Sequence, residues 1–232
     1  TQHRYDWSGV FDPWKFAYLE PRSFLDLQNQ YKEMPMWMTE VGFISQDIHQ
    51  PGNLHDKKAW SSVFPEGVPR HIHARNFTLC TAAFNGWGLY NKWFWHTATD
   101  FSDPTEREDC FGIFNTCYED TDFIYTPYTA KPASIALAAT NYFMRDDVES
   151  KNVYGTTEEG IWGFHFFEPK LNKDVFVLQA QYGVSGNKAF RLGCGSVDIY
   201  DIYGNHLGTM KSDDGVYSFE VTNEPYYIVG NF

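Results

Sequence analysis

A glutamate near the end of an apolar run is the residue in this sequence best placed to do chemistry. The stretch PMWMTEVGF, residues 35–43, is typical of a β-strand and carries Glu40 close to its end, with Gly42 two places further on. Burying an unpaired carboxylate in a protein core is costly. We therefore interpret Glu40 as part of a binding or catalytic cleft; the alternative is a salt-bridged or solvated carboxylate at a strand end.

Two other strand-like runs carry polar and aromatic side chains at comparable positions. The opening TQHRYDW places His3 and Tyr5 on one face, because side chains two apart in a strand point the same way. The run NKWFWHTATD does the same for Trp93 and Trp95 and continues with His96. If the three runs are parallel strands, a carboxylate, a phenol, an imidazole and an indole converge at one rim.

The order of the predicted elements explains how these residues are brought together. Strands and helices alternate over the first 149 residues, with helices predicted over 23–33, 70–84 and 130–146. This alternation favours a parallel sheet, and in a (β/α)8 barrel the functional side chains lie at the C-terminal ends of the strands. Three strands cannot close a barrel that takes about 250 residues. We therefore expect residues 1–149 to be the last three βα units of a TIM barrel.

The texture of the sequence changes at about residues 147–155. Beyond this point come short alternating runs separated by Gly, Asn and Asp, with no helical segment between them. Six runs read as strands: GIWGFHFFEP, DVFVLQAQYG, NKAFRLGCG, VDIYDIYGN, GVYSFEV and PYYIVGNF. The pattern predicts an antiparallel β-sandwich over residues 150–232. The expected fold class is thus α/β plus all-β.

Charge and composition narrow the classes of partner. The formal net charge of −12 disfavours binding to nucleic acid or to anionic membranes, and no apolar run approaches the length that spans a membrane. Aromatic residues make up 19% of the chain, which fits either a large core or a sugar-binding cleft. No signal peptide is evident. Because the first residue is Thr1, we expect a processed product or a fragment.

Four of these stretches, in this order, resemble the clan A glycoside hydrolases. MWMTEVGF is similar to the nucleophile strand of that clan, the seventh strand of its barrel, which ends in Thr-Glu-x-Gly. HRYDW resembles its sixth strand and NKWFWHTATD its eighth, while YTAKPASIALAATNYF is similar to the closing helix with its Lys-Pro pair. The resemblance implies the C-terminal part of a retaining glycoside hydrolase, followed by a β-sandwich that is frequent in the clan.

The resemblance also implies roles for particular residues. Glu40 matches the nucleophile, and Tyr5 matches the phenol that orients it. His3 and His96 are expected to bind substrate, and Trp95 to floor the sugar subsite, with Trp93 as the reserve choice. Core packing is the alternative for His3, Tyr5 and Trp95.

A retaining mechanism needs a second carboxylate, which acts as acid and base. The clan carries it after an asparagine on the fourth strand, and the triplet Asn223-Glu224-Pro225 resembles that motif. We reject Glu224, because the triplet lies in the predicted last hairpin of the sandwich, after Glu40 instead of before it. The expected partners are therefore a carbohydrate substrate and an N-terminal barrel portion, as a separate chain or fragment, in a secreted or extracytoplasmic protein. The alternative is a non-catalytic carbohydrate-binding or structural protein on a degenerate scaffold.

Other groups of reactive residues predict no further site. Cys110 and Cys117 flank a short loop and could be bridged, with free thiols as the alternative. His71 and His73 suggest a metal pair, but residues two apart on a helix diverge and no third ligand is evident. The acidic run DFSDPTERED lacks the spacing of a calcium loop, so we interpret it as solvated. We expect neither a metal nor a cofactor.

Overall fold

The computed structural model divides the chain into two compact units that are interleaved in sequence. It describes residues 2–6, 35–43, 45, 64, 68–88, 90–100, 111–115, 129–156, 159–181 and 183–232, with the backbone alone for 2–6 and 156. The parallel unit comprises Thr1–Phe11, Met34–Phe77 and Tyr90–Leu137. The antiparallel unit comprises Asp12–Glu33, Thr78–Leu89 and Ala138–Phe232. The predicted domain boundary between residues 149 and 150 stays a prediction.

The parallel unit is built on three strands: β1 (Gln2–Asp6), β2 (Trp37–Phe43) and β3 (Lys92–Trp95). β2 lies in the middle and pairs in parallel with both neighbours, as the sequence predicts. Strand β3 is shorter than the predicted run WGLYNKWFWH. The difference arises because Trp87 still belongs to the preceding helix.

Strand β2 buries the face of its second half that carries Val41 and Phe43, and a register irregularity between Met38 and Val41 breaks strict alternation before it. The apolar side chains of Met38, Val41 and Phe43 are fully buried. The ring of Phe43 meets that of Phe77, on the helix that follows β2, edge-on at a centroid distance of 5.7 Å. The helix therefore covers this face, as expected of a βα unit.

Two helices are described, and none among the described residues is long and apolar enough to cross a bilayer. Helix α1 (Arg70–Trp87) runs three residues past its predicted end, through Asn85-Gly86. Gly86 is tolerated there because a side chain would collide with the ring of Phe164. Helix α2 (Pro132–Phe143) starts with proline, which has no N–H to leave unpaired in the first turn, and ends before the predicted 146. The predicted helix over 23–33 lies outside the described residues.

The antiparallel unit contains eight strands within its described residues. They are β4 (Glu149–Thr156), β5 (Ile161–Glu168), β6 (Lys173–Ala180), β7 (Gly186–Arg191), β8 (Ser196–Tyr200), β9 (His206–Lys211), β10 (Val216–Val221) and β11 (Tyr226–Gly230). Six form one sheet in the order β4-β5-β6-β11-β8-β9, and β7 pairs with β10 in a second sheet. Both sheets contribute side chains to one buried cluster, among them Phe176, Leu178, Phe219 and Ile228.

All six strands predicted from the sequence are present in this unit, but one connection differs. β10 pairs with β7, whereas β11 pairs with β6 and β8, so the segment around Asn223-Glu224-Pro225 joins two sheets. The prediction of a last hairpin is therefore wrong. The rejection of Glu224 as a barrel residue is unaffected, because the triplet still lies between two strands that each belong to an antiparallel sheet, with no helix after it.

Candidate active site

Glu40 lies in the second half of β2, the central strand of the parallel sheet. Its neighbour Val41 is fully buried, as is Phe43, whose ring contacts helix α1. Alternation along the strand therefore places Glu40 and Gly42 on the opposite face, away from that helix. Glu40 is partly exposed, unlike the apolar residues of the buried face.

The backbone register brings β1 alongside the Glu40 position. His3 pairs with Glu40 and Tyr5 pairs with Gly42, on strands that are about 4.8 Å apart in a sheet. The backbone thus places the two strands side by side at these positions, and the predicted convergence of the side chains at one rim stays a prediction. The side chains of β1 lie outside the described part of the structure, so the roles of His3 and Tyr5 stay predictions.

The glycine two places after Glu40 has a steric cause. A Cβ atom at Gly42 would lie 2.8 Å from Phe111 Cδ1 and 2.8 Å from the carbonyl oxygen of His96, both too close. Glycine therefore lets the segment after β3 rest directly on the end of β2. The His96 N–H donates to the carbonyl of Val41 at 2.8 Å, and the His96 ring lies 5.6 Å from that of Phe111.

Trp95 packs toward the helix side of the sheet. Its ring centroid is 4.5 Å from Phe77 of α1 and 6.2 Å from Phe43. Trp93, two residues earlier, pairs with the buried Met38. These contacts favour the core-packing alternative for Trp95, and its role beneath a sugar stays a prediction.

The aromatic residue that the sequence reading overlooked is Phe94. It lies between the two tryptophans and is 48% exposed, and its ring centroid is 6.0 Å from that of Trp37, which is 45% exposed. The Nζ atom of Lys92 lies 5.7 Å above the Trp37 ring. Alternation along KWFW was the signal that could have found it, because Phe94 must point away from both tryptophans.

A buried ion pair lies beyond the ends of β2 and β3. Lys131 Nζ is fully buried and lies 2.6 Å from Asp100 Oδ1 and 3.1 Å from Ser45 Oγ. Burial raises the pKa of the Asp100 carboxyl, and the Lys131 charge only partly offsets that rise. Asp100 opens the run DFSDPTERED, so the prediction of a solvated loop is wrong for this residue, which is buried against a lysine 31 positions away.

The two histidines of α1 do not form a metal pair. His71 is exposed, whereas His73 is fully buried with its ring 4.9 Å from that of Phe77. Burial, reinforced by the Lys131 charge, holds the pKa of His73 well below its usual value, so the ring is neutral. Within the described residues no group of three or more potential metal ligands occurs. Cys110 and Cys117 lie outside those residues.

Solved structures show where this fold occurs. No protein-family model and no curated protein matches the sequence. Among solved structures, a GH30 endoxylanase from Clostridium papyrosolvens matches 89% of the chain at a TM-score of 0.52 and 14% identity. A glycoside hydrolase family 30 subfamily 8 xylanase from Clostridium acetobutylicum matches 88% of the chain at a TM-score of 0.50 and 11% identity. The chain has the fold of part of a glycoside hydrolase.

A third match is described as a conserved exported protein from Bacteroides fragilis. It matches 96% of the chain at a TM-score of 0.56 and 13% identity. The chain spans less than half of each of these three proteins, namely 45%, 44% and 44% of their lengths. The resemblance to glycoside hydrolases drawn from the sequence is thus confirmed for the fold, over a part of such a protein.

Proposed function

We propose that this chain supplies the nucleophile half of the active site of a retaining glycoside hydrolase, with Glu40 as the nucleophile. The observation that carries the proposal is the position of Glu40. It lies toward the C-terminal end of the central parallel strand, on the face away from helix α1, in a fold shared with glycoside hydrolases. In barrel enzymes, functional carboxylates occupy such strand ends.

The chemistry proposed for Glu40 is a double displacement. The carboxylate attacks the anomeric carbon and forms a glycosyl-enzyme bond, while a second carboxylic acid protonates the departing oxygen. Water then attacks the same carbon, assisted by that second carboxylate, and releases Glu40. The backbone register supports Tyr5 and His3 as neighbours of this reaction, the phenol orienting the carboxylate and the imidazole binding substrate.

The proposal requires a partner for the parallel unit. We interpret β1–β3 as the last three strands of a TIM barrel and the antiparallel unit as an accessory β-sandwich. The exposed rings of Trp37 and Phe94 support this interpretation, because parallel sheets are ordinarily covered on both faces. An N-terminal barrel portion, on a separate chain or fragment, would cover that face and bring the acid/base residue. One structural match is described as exported, which supports a secreted or extracytoplasmic location.

Trapping the glycosyl-enzyme tests the proposal. The assembled protein, meaning this chain together with its N-terminal barrel portion, is incubated with 2-deoxy-2-fluoro glycosides and analysed by peptide mass spectrometry. Xyloside is the first probe, since two of the structural matches are described as xylanases. We expect covalent mass on the peptide that contains Glu40 and none in Glu40→Gln, whose hydrolysis rate falls at least about 10⁴-fold.

A matched variant separates nucleophile loss from a general effect of removing a charge. Glu224→Gln changes the same side chain in the exposed turn between β10 and β11, and we expect it to label and hydrolyse like wild type. Persistent absence of label from every glycoside tested, combined with binding of the same sugars, would instead establish the non-catalytic carbohydrate-binding alternative. Label on any other carboxylate would contradict the assignment of Glu40.

A further inference from the structure

Three segments that follow elements of the parallel unit meet at one buried ammonium group. Ser45 comes two residues after β2, Asp100 comes five residues after β3, and Lys131 directly precedes α2. Lys131 Nζ contacts Asp100 Oδ1 at 2.6 Å and Ser45 Oγ at 3.1 Å. An unpaired buried charge is strongly unfavourable, so the ammonium holds both partners in place.

Asp100 also forms hydrogen bonds with the short segment 111–115 and so connects it to Lys131. The same carboxylate oxygen accepts the N–H of Gly112 at 2.8 Å, and the Asp100 N–H donates to the Phe114 carbonyl at 3.1 Å. On the other side, the Lys131 N–H donates to the Ile113 carbonyl at 3.0 Å. A side chain at Gly112 would collide with the backbone nitrogen of Asp100. The segment is therefore held from both sides by the two members of the ion pair.

The segment in turn rests on the strand that carries Glu40. Phe111, next to Gly112, is 1% exposed and packs with Val68 and Ile72. Its ring occupies the space that a side chain at Gly42 would need. Gly42 is two residues beyond Glu40, so Phe111 lies directly against the strand end that carries this carboxylate.

We infer that Lys131, through its ion pair with Asp100, is a positioning residue for Glu40. The ion pair fixes segment 111–115, which keeps Phe111 seated against Gly42 and sets the direction of the Glu40 carboxylate. This inference rests on the proposed function, because it assigns the geometry a purpose in nucleophilic attack. Small errors in the placement of a reacting group are costly to rate, by up to about a hundredfold for one ångström.

Two variants and a control test the inference in the assembled protein. Lys131→Met removes the ammonium and leaves Asp100 buried without its partner. Lys131→Met combined with Asp100→Asn removes both charges and keeps an oxygen that can accept the Gly112 N–H. Because no unpaired charge is left buried, this double variant is expected to fold even if Lys131→Met alone does not. Lys151→Met is the control, since that lysine pairs with Glu149 on the surface of the antiparallel unit. All proteins are studied below their unfolding transitions.

Two readouts are compared: amide hydrogen exchange over 40–43 and 111–115, and the kinetics of Glu40 labelling by the fluorosugar. For Lys131→Met we expect faster exchange in both segments and a maximal labelling rate at least about tenfold lower, with the half-saturating inhibitor concentration unchanged. In both readouts, the double variant should give values between those of Lys131→Met and wild type. Lys151→Met should match wild type in both readouts.

Each other outcome overturns a stated part. Faster exchange in Lys131→Met with a wild-type labelling rate would show a structural role only and end the inference. Slower labelling with unchanged exchange over 111–115 would exclude the route through Phe111. If the wild-type protein takes no label, the proposed function fails and the positioning role of Lys131 fails with it. Exchange over 40–43 in Lys131→Met then decides a separate point: faster exchange would leave Lys131 as a structural anchor of this strand end, and unchanged exchange would refute that contact route as well.

Discussion

In the antiparallel unit, side chains from two sheets meet in one buried cluster, whereas the parallel unit leaves one aromatic ring of β2 and one of β3 about half exposed. Phe176 of the antiparallel unit is fully buried and contacts the rings of Tyr154 and Phe190. In the parallel unit, Trp37 and Phe94 are about half exposed on the sheet face that α1 does not cover. The antiparallel unit therefore buries its large apolar side chains more completely than the parallel unit does.

The difference lies in how much apolar surface each unit buries with its own described residues. Burial of apolar surface stabilises a fold by about 25 cal/mol per Å², and exposed rings contribute little of this. The antiparallel unit already obtains that stabilisation from its own described strands. The face that carries Glu40 and Phe94 obtains less of it, because the rings of Trp37 and Phe94 stay about half exposed there.

Removing one phenylalanine from each unit gives the largest expected contrast. Phe176→Ala deletes a ring from the closed cluster and should lower the free energy of unfolding by about 3–5 kcal/mol. Phe94→Ala removes a ring that is 48% exposed and should change it by less than about 1 kcal/mol. Urea unfolding of this chain, followed by circular dichroism, measures both values. Equal costs would contradict the contrast.

The same pair of variants sharpens the comparison in the assembled protein. If an N-terminal barrel portion covers the face of β3, Phe94 becomes a core residue and Phe94→Ala should then cost about 3 kcal/mol or more. Phe176→Ala should cost the same as it does in this chain. A Phe94→Ala cost that does not rise on assembly would show that this face stays open.

The sequence predicted the regular elements well where burial and alternation coincide. β5, β6 and β11 carry dense apolar runs, and all lie inside the six-stranded sheet. β4 and β9 were missed. They are the two edge strands, with largely exposed side chains such as Lys151 and Leu207, so no alternating apolar pattern marks them.

The candidate site was predictable only where it follows strand order. Three parallel strands that follow one another in the sheet put His3 beside Glu40, and put Glu40 on the strand next to the one with Trp93, Phe94 and Trp95. The sequence could not predict whether the tryptophan face or the Phe94 face of β3 turns toward helix α1. That orientation depends on the register between β2 and β3, which shifts between Met38 and Val41. The pairing of Asp100 with Lys131 joins residues 31 apart through an irregular loop, and no local pattern announces it.

Alkaline pH should affect the antiparallel unit through a buried phenol. Burial raises the pKa of Tyr227 to about 12, and its hydroxyl lies 3.0 Å from Thr140 Oγ1. The unfolded chain ionises near pH 10, so the stabilisation is complete below that pH and is lost as pH rises toward 12. We expect a loss of about 2 kcal/mol between roughly pH 9 and 12 from this residue.

Tyr227→Phe is the variant that isolates this effect. It should cost about 1 kcal/mol at neutral pH through the lost hydrogen bond, yet show a shallower decline at high pH. Urea midpoints across the pH range give both quantities. Burial also raises the pKa of Tyr226, so part of the decline should remain in the variant. An unchanged slope would mean that Tyr227 ionises as readily in the folded protein as in the unfolded chain.

The smallest expected effect is the loss of an exposed ion pair. It serves as a reference for the stability contributed by the buried Lys131–Asp100 pair. Lys188 Nζ lies 2.5 Å from Glu159 Oε1, with the two side chains 33% and 47% exposed. Water and salt screen this attraction, and holding two long side chains together costs entropy, so Lys188→Ala should change the free energy of unfolding by less than about 0.5 kcal/mol. Urea unfolding at low and high salt measures the change. If Lys188→Ala cost as much as Lys131→Met, burial would not be what makes the Lys131–Asp100 pair important.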